Sequence, residues 1–249
     1  MNEKQDDGGL AAFELTDVCT ARDGTRILDD VTLQIPRGGF TALIGPSGAG
    51  KSSLLRLLNR LDDPTSGTIR YHDTPIQDLS VCDHRRHVGF VFQTPVVFAG
   101  TVRDNLAVAA SIARIDPRDV DQRMMECLQL AEVDRALLDR DTSGLSVGQK
   151  HRVCIARTLM SGPETLLLDE PTAALDPETA TRLMTTIARL RTERGVTVVA
   201  ATHRLQEAKD ISNFVVMLDH GRIVEAGPTH EIFENASRPR IRAFLESVS

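Results

Sequence analysis

The feature that most constrains this chain is the segment 45–52, which reads Gly-Pro-Ser-Gly-Ala-Gly-Lys-Ser and fits the pattern of a phosphate-binding P-loop. Its glycines allow the backbone to turn tightly and to direct successive N–H groups at phosphate oxygens. A helix that begins near Lys51 adds the positive end of its dipole, and Lys51 itself supplies a charge for the β- and γ-phosphates. The Ser52 hydroxyl is predicted to be a ligand for Mg²⁺. The residues predicted to contact the nucleotide are Gly45, Pro46, Ser47, Gly48, Ala49, Gly50, Lys51, Ser52 and Ser53.

The residues on either side of this loop agree with the motif. Residues 40–44 form a short apolar run typical of a buried strand, and 53–58 are leucine-rich enough for a buried helix. A glycine-rich turn that binds no ligand is the alternative, but such a turn does not require a strand before it and a helix after it. The sequence therefore predicts that the chain binds a nucleoside triphosphate.

Composition excludes several other classes of protein. The length of 249 residues and the apolar content of 41% allow one large domain or two smaller ones. The net charge of −6 argues against a nucleic-acid-binding surface and against a polybasic membrane anchor, since both are usually basic. No apolar run approaches the roughly 20 residues of a membrane-spanning helix. The four cysteines form no Cys-x-x-Cys pair, which predicts free thiols in the cytoplasm.

The distribution of apolar residues predicts the domain organisation. Short apolar segments alternate with turn residues up to the P-loop, helical periodicity dominates 101–160, and strands and helices alternate again after 165. The expected fold is α/β, with a mostly parallel sheet, an N-terminal antiparallel β layer and an inserted helical subdomain. The predicted divisions are a disordered tail at 1–10 and a single domain at 11–249, made of a catalytic core at 11–93 and 161–235, a helical subdomain at 94–160 and a C-terminal helix at 236–249.

The stretch Pro177–Arg194 has the clearest helix boundaries in the sequence. Asp176 before it can cap the first turn, Pro177 suits the first helical position, and Gly195 follows the end. The sequence therefore predicts a helix over these residues.

Two acidic residues follow another buried apolar run. The leucines at 166–168 precede Asp169 and Glu170, and such a strand delivers its last residues to the carboxyl edge of the sheet, where open α/β folds bind ligands. Asp169 is predicted to hold Mg²⁺ through its water ligands. Glu170 is predicted to polarise the attacking water as a general base. Next to a P-loop, this interpretation is favoured over a solvated acidic loop.

Further motifs resemble those of the ABC ATPase family. Residues 145–149, Leu-Ser-Val-Gly-Gln, resemble its signature peptide, and Gln93 resembles its Q-loop residue. Residues 174–176 resemble its D-loop, and His203 resembles its switch histidine. The order and spacing of the motifs match the family over 13–235. The resemblance implies a RecA-like P-loop NTPase fold that binds ATP and Mg²⁺.

The resemblance also implies a head-to-tail dimer with two ATP molecules at its interface. Each ATP would lie on one subunit's P-loop and under the other subunit's signature peptide. Ser146 would donate its hydroxyl to a γ-phosphate, and the helix starting near Gly148 would add its dipole. The implied catalytic residues are Lys51, Gln93, Glu170 and His203. The implied ATP contacts outside the P-loop are Arg22, Ser146, Gly148, Gln149 and Asp176, and the implied metal-site residues are Ser52, Gln93 and Asp169.

Three residues depart from the family's pattern. Val147 stands where the signature peptide usually has glycine, and a β-branched side chain would hinder a close approach of the backbone to phosphate. Because Ser146 and Gly148 are kept, activity is expected to survive. His151 stands where glutamine is common. No aromatic residue occupies the adenine-stacking position, where the Arg22 guanidinium is the candidate to cover the base.

The function implied by the resemblance is that of the ATP-hydrolysing subunit of a membrane transporter, peripheral on the inner face of the cell membrane. Expected partners are integral membrane permease subunits and a second ATPase subunit, with a homodimer expected, and a substrate-binding protein is a further candidate; no nucleic acid is expected. A partner helix is expected to dock near 93–105. The stretches 54–67 and 88–106 resemble phosphate-type importers and metal-efflux ATPases, so an inorganic anion such as phosphate or a metal is the expected cargo.

Two other functions are compatible with the sequence. A soluble ABC ATPase outside transport, of the Fe–S assembly type, would also contain a single ATPase domain. An ATP-dependent binding module without turnover is suggested by Val147 alone.

Overall fold

The computed structural model describes residues 10–173 and 175–234 of the chain. The predicted tail, apart from Leu10, and the helix predicted at 236–249 lie outside these residues. The described strands are β1 (Ala11–Arg22), β2 (Thr25–Pro36), β3 (Phe40–Ile44), β4 (Ser66–Tyr71), β5 (Thr74–Pro75), β6 (Val88–Val91), β7 (Thr165–Asp169), β8 (Thr197–Ala201), β9 (Phe214–Asp219) and β10 (Arg222–Pro228). The described helices are α1 (Lys51–Leu58), α2 (Val81–His87), α3 (Val102–Ala113), α4 (Val120–Leu130), α5 (Val147–Leu159), α6 (Pro177–Arg194), α7 (Leu205–Ile211) and α8 (Thr229–Glu234).

The strands form two sheets that differ in strand direction. A four-stranded antiparallel sheet has the order β2-β1-β4-β5. A six-stranded sheet has the order β10-β9-β3-β8-β7-β6, in which every pair is parallel except β9 and β10. The predicted α/β fold with a mostly parallel sheet and an antiparallel layer is therefore confirmed.

The parallel sheet is covered on both faces. Helix α1, which follows the P-loop, lies on one of these faces. Every residue of β3, β7 and β8 is buried, as expected for parallel strands between two layers. Leu166 and Leu168 belong to the hydrophobic cluster that contains residues of α3, α4, α5 and α6, whereas Leu167 belongs to the cluster that contains α1 and the antiparallel sheet. The four leucines of α1 are fully buried, each contributing about 1.5–3 kcal/mol. Helix α1 is thus held between the two sheets.

The antiparallel sheet begins with a hairpin of β1 and β2, and it contains more strands than the sequence indicates. Asp23 and Gly24 have φ angles of 50° and 75°, the backbone of a two-residue hairpin turn. Strands β4 and β5 were not predicted. Only Ile69 and Tyr71 of β4 are buried, and β4 pairs with β1 about fifty residues earlier in the chain, so a local pattern does not reveal it.

The chain between β6 and β7 is helical, and a long helix, α6, follows β7. Residues 92–164 contain α3, α4 and α5 and no strand, apart from an isolated bridge between Thr101 and Asp141. Helix α6 begins and ends as predicted: Asp176 Oδ1 accepts a hydrogen bond from the Thr179 N–H at 3.0 Å, and Gly195 has a φ of 66°. Across 10–173 and 175–234, no helix combines the length and apolar character needed to span a bilayer.

His151 is an unusual polar residue of the helical layer. Its side chain on α5 is fully buried, and neither ring nitrogen has a hydrogen-bond partner among the described residues. Burial lowers the pKa of this imidazole below its ordinary value, because a charge there would lose its hydration. The residue therefore favours the neutral form in the folded protein.

We expect His151→Met to make the stability less dependent on pH. Because the imidazole pKa is lower in the folded protein than the value of about 6.5 in the unfolded chain, the unfolded state binds an extra proton as the pH falls below that value. The free energy of unfolding then decreases by up to about 1.4 kcal/mol per pH unit. Urea unfolding at about pH 7 and about pH 5.5 measures this slope. His230→Met, at an exposed position, is the control. Equal slopes for wild type and His151→Met would contradict the expectation.

Candidate functional site

The P-loop has a backbone conformation that glycine adopts without strain. Gly45, Gly48 and Gly50 have φ angles of 142°, 78° and 103°. A Cβ atom at Gly45 would lie 2.0 Å from the Leu218 carbonyl oxygen, and one at Gly50 would lie 2.7 Å from Leu28 Cδ2. The loop is therefore packed against the end of β9 and the antiparallel sheet, and it leads directly into α1.

Lys51 lies at the base of this loop. Its side chain is buried, and Nζ donates hydrogen bonds to the carbonyl oxygens of Gly45 at 2.8 Å and Pro46 at 2.9 Å. Burial lowers the pKa of the ammonium group, while the nearby charges of Glu170 and Asp169 act in the opposite direction. A partly desolvated cation at this point favours an anionic ligand in the loop.

Ser52 and Asp169 meet although 117 positions separate them in the sequence. Ser52 Oγ donates a hydrogen bond to Asp169 Oδ1 at 2.8 Å. Asp169 ends β7 and is buried; burial raises the pKa of its carboxyl group, and the charge of Glu170 raises it further, while the Ser52 hydrogen bond and Lys51 lower it. A cation beside Asp169 would relieve the cost of this buried carboxylate.

Glu170 has a strained backbone conformation directly after the carboxyl end of β7. Its φ of 46° lies in the left-handed region, which costs a non-glycine residue on the order of 1–3 kcal/mol. Its N–H donates to the Ala201 carbonyl at 3.1 Å, which holds the backbone beside β8. Glu170 Oε2 accepts a hydrogen bond from Gln93 Nε2 at 3.0 Å and lies 3.5 Å from His203 Nδ1. One carboxylate oxygen thus contacts side chains from two other predicted motifs.

Ser146 and Gln149 form a capping box at the start of α5. Ser146 Oγ accepts from the Gln149 N–H at 3.2 Å, and Gln149 Oε1 accepts from the Ser146 N–H at 2.9 Å. The cap uses the hydroxyl oxygen as an acceptor, which leaves the hydroxyl proton for another group. Val147 is half exposed on the first turn, and a Cβ at Gly148 would lie 3.1 Å from Leu175 Cδ2. The signature peptide therefore packs against the D-loop of its own chain.

A hydrogen-bond network near His203 was not predicted from the sequence. Thr172 Oγ1 donates to Glu207 Oε2 at 3.0 Å, and Arg204 Nη1 donates to Glu207 Oε1 at 2.9 Å. Arg204 Nη2 also donates to the Leu175 carbonyl at 3.4 Å. These bonds connect the start of α7 to the segment between Glu170 and α6, of which residue 174 lies outside the described part. An arginine three residues before a glutamate is too common on helices to mark a site.

Arg22 lies beside the P-loop and is engaged in an ion pair. Its Nη2 is 3.4 Å from Asp62 Oδ2, and Asp62 also accepts from Arg56 Nε at 2.7 Å. Arg22 and Ser53 line the same cavity of about 220 Å³. The structure therefore brings Arg22 next to the nucleotide loop, and its stacking on adenine stays a prediction.

We expect Gly45→Ala to abolish nucleotide binding and to lower the free energy of unfolding by about 1–3 kcal/mol. The added methyl group would collide with the Leu218 carbonyl oxygen, and the backbone φ would strain it. A titration with a fluorescent ATP analogue and urea unfolding measure the two effects. Gly39→Ala is the matched control, because its Cβ would make an ordinary contact of 3.7 Å with Pro36. Wild-type nucleotide affinity in Gly45→Ala would refute the assignment of the loop.

The chain matches the family model described as ABC transporter over residues 28–173, more than half of its length. Protein STAR1 of Oryza sativa subsp. japonica is 43% identical, over 90% of this chain and 64% of the rice protein. The methionine import ATP-binding protein MetN of Cereibacter sphaeroides is 38% identical, over 100% of this chain and 72% of that protein.

Solved structures agree with these sequence relationships. The chain superposes on cbiO1 from Clostridium perfringens, part of the ABC transporter complex cbiONQ, with a TM-score of 0.83, 31% identity and coverage of 95% of this chain and 99% of that one. It superposes on the dimeric ATP-binding cassette MJ0796 bound to ADP and Pi with a TM-score of 0.77, 30% identity and coverage of 87% and 98%. The chain belongs to the ABC transporter family and is one of its ATPase domains, with ATP and Mg²⁺ as its ligands.

Proposed function

We propose that this chain is the ATP-hydrolysing subunit of an ABC importer, which couples closure of two ATPase subunits to transport through separate permease subunits. The observation that carries the proposal is the position of Glu170 directly after the carboxyl end of β7. Gln93 donates to its carboxylate, and His203 lies next to the same oxygen. A positioned base beside a P-loop supports hydrolysis rather than storage of the nucleotide.

In the proposed reaction, water attacks the γ-phosphorus, the bond to the β-γ bridging oxygen breaks, and ADP and phosphate leave. Glu170 Oε2 accepts a proton from the attacking water. Gln93 and His203 orient this carboxylate, and His203 also steadies the γ-phosphate. The N–H groups of the P-loop and the charge of Lys51 bind the phosphates, which would draw Lys51 Nζ away from the loop carbonyls that it now contacts.

The residues beside the P-loop suit Mg²⁺. The Ser52 hydroxyl, the Asp169 carboxylate and the Gln93 amide are oxygen donors of the kind that this ion prefers, and Asp169 already shares a hydrogen bond with Ser52. When bound, Mg²⁺ supplies positive charge that stabilises the triphosphate. We therefore assign these side chains to the metal.

The second ATPase subunit is proposed to be another copy of this chain. The relative MJ0796 forms a dimer in its ADP-bound structure. In a head-to-tail pair, Ser146 of one copy donates its free hydroxyl proton to the γ-phosphate bound by the other, and the N-terminus of α5 adds its dipole. Val147 supports activity in this arrangement, because its exposed side chain leaves the capping box intact.

A groove beside the helical layer is proposed to receive a permease helix. It has a volume of about 350 Å³, and its lining includes Phe90, Phe98, Val108 and Ile112. Phe98 is 48% exposed and Ile112 is 63% exposed, so apolar surface is left for a partner. The groove overlaps the predicted docking segment 93–105 and extends it along α3. Docking there would place the chain at the inner face of the membrane, and a substrate-binding protein would complete an importer.

The cargo is proposed to be a small organic solute of the methionine type, since several relatives are named for methionine import. This corrects the expectation of phosphate or a metal, which the relatives do not support. The stretches 54–67 and 88–106 that suggested an inorganic cargo contain the end of α1, the first residues of β4, β6 and the start of α3. These elements position the P-loop and the docking groove, so they carry no information about the cargo.

The comparisons do not support the two alternative functions that the sequence left open. The relatives give no support to a soluble Fe–S assembly ATPase. A binding module without turnover is not supported either, because the chain belongs to a family of ATP-hydrolysing domains.

We expect Lys51→Ala to weaken ATP binding at least about tenfold, because it removes a partly desolvated charge that pairs with phosphate. A fluorescent ATP analogue measures the dissociation constant. Lys209→Ala, an exposed position on α7, should bind as wild type does. Equal affinity and turnover in wild type and Lys51→Ala would remove Lys51 from the mechanism.

We expect Glu170→Gln to retain ATP affinity within about threefold and to hydrolyse ATP at least about 100-fold more slowly, since an amide is not a general base. Bound ATP should then accumulate the closed pair, which size-exclusion chromatography with Mg²⁺-ATP detects as a dimer. Glu178→Gln, exposed in the first turn of α6, is the control. Turnover at the wild-type rate would show that Glu170 is not the base.

A further inference from the structure

Arg157 of α5 binds three parts of the segment that follows the Q-loop residue. Its Nη2 donates to the Val96 carbonyl at 2.8 Å, and its Nη1 donates to Asn105 Oδ1 at 3.2 Å. The guanidinium carbon lies 4.6 Å from the centroid of the Phe98 ring. A single side chain therefore holds a carbonyl, an amide and an aromatic ring of the docking segment.

Neighbouring contacts reinforce this attachment. Cys154 Sγ donates to the same Val96 carbonyl at 3.4 Å. Asn105 accepts from the Phe98 N–H at 2.8 Å and donates to the Phe98 carbonyl at 3.1 Å. The segment around Val96 and Phe98 is thus bonded to Cys154 and Arg157 of α5 and to Asn105 of α3.

The anchored Val96 is close in sequence to Gln93. Only Thr94 and Pro95 lie between them, and proline restricts both its own φ and the conformation of the residue before it. Gln93 at the other end of this short tether donates to Glu170 at 3.0 Å. A displacement of Gln93 is therefore transmitted to the carbonyl that Arg157 holds.

Helix α5 extends the connection to the signature peptide. Arg157 lies eleven residues after Ser146 on this continuous helix, a distance of about 16 Å along the axis. If α5 moves as one rigid element, a shift of Val96 would move Ser146 with it. Arg157 is only half-buried, and its partners Val96 and Phe98 are exposed, whereas Asn105 is buried. The guanidinium is therefore not a fully buried charge that requires these contacts.

We propose that Arg157 is a positioning residue that couples Gln93, beside the nucleotide of its own subunit, to Ser146, which acts on the nucleotide of the partner subunit. The inference rests on the proposed function, because it assigns the link between the two halves of that composite site. Arg157 contacts neither ATP nor the reacting atoms and acts through Gln93. Because Arg157 also lines the docking groove, a helix bound there would act on the same link.

A double-mutant cycle on the full chain tests this coupling. Steady-state ATPase measurements compare wild type, Gln93→Ala, Arg157→Ala and the double variant. Arg157→Ala is expected to lower kcat about tenfold and to change KM for ATP less than about threefold. The double variant is expected to be no slower than Gln93→Ala alone, since Arg157 acts through that residue.

Two further variants separate positioning from folding. Arg152→Ala, on the same helix and with no hydrogen bond or ion pair recorded for its side chain among the described residues, should retain wild-type kcat. Arg157→Lys keeps a cation near Phe98 but lacks a second nitrogen to reach Val96 and Asn105 together. It should fold like wild type in urea unfolding and recover less than half of the lost kcat. If Arg157→Ala does not fold, Arg157→Lys takes its place in the cycle.

Three results would contradict the proposed role of Arg157. Multiplicative losses in the double variant, wild-type kcat in Arg157→Lys, or a loss confined to KM would each overturn the coupling role. An inactive wild-type protein would overturn the proposed function and this inference together. An active wild type with multiplicative losses would overturn the inference alone.

Discussion

The left-handed backbone of the P-loop is the constraint on which the rest of the site depends. At Gly45 the Leu218 carbonyl occupies the place that any side chain would need, so only glycine lets the loop lie against the end of β9. Helix α1 follows at once and is fixed between the two sheets by its buried leucines. This position carries Ser52 to Asp169 at the end of β7. The phosphate loop and the carboxylate that we propose for the metal are therefore placed by one packing arrangement.

The site holds two partly desolvated charges, which a triphosphate and a cation would compensate, and one residue in a strained backbone conformation. Burial lowers the pKa of Lys51 and raises the pKa of Asp169, so neither charge is fully compensated by its surroundings. Glu170 is held in a left-handed conformation that a glutamate rarely adopts. The hydrogen bond from Gln93 and the contact with β8 keep it there. Such strain and desolvation at a sheet edge are typical of preorganised catalytic sites.

Sequence reasoning succeeded where the signal is local. The P-loop glycines, the acids at the end of β7 and the ends of α6 are each defined by neighbours in the chain. The structure has positive φ angles at these glycines, Asp169 as the last residue of β7, and α6 over Pro177–Arg194. Strands β4 and β5 were missed, because β4 is recognisable only through its pairing with β1. The Arg157 contacts with Val96 span 61 positions, and the Arg204–Glu207–Thr172 network also joins separate elements. Contacts of this range depend on the tertiary fold and leave no periodic pattern to read.

Within one chain, the signature peptide packs on its own D-loop through Gly148 and Leu175, and the capping box leaves the hydroxyl proton of Ser146 for another group. The central claim is that two subunits clamp each triphosphate between a P-loop and a facing Ser146. A structure of the Glu170→Gln variant with Mg²⁺-ATP tests it most directly. Ser146 Oγ is expected about 3 Å or less from a γ-phosphate oxygen of the nucleotide on the neighbouring subunit. A loaded assembly in which Ser146 is remote from every γ-phosphate would contradict the claim.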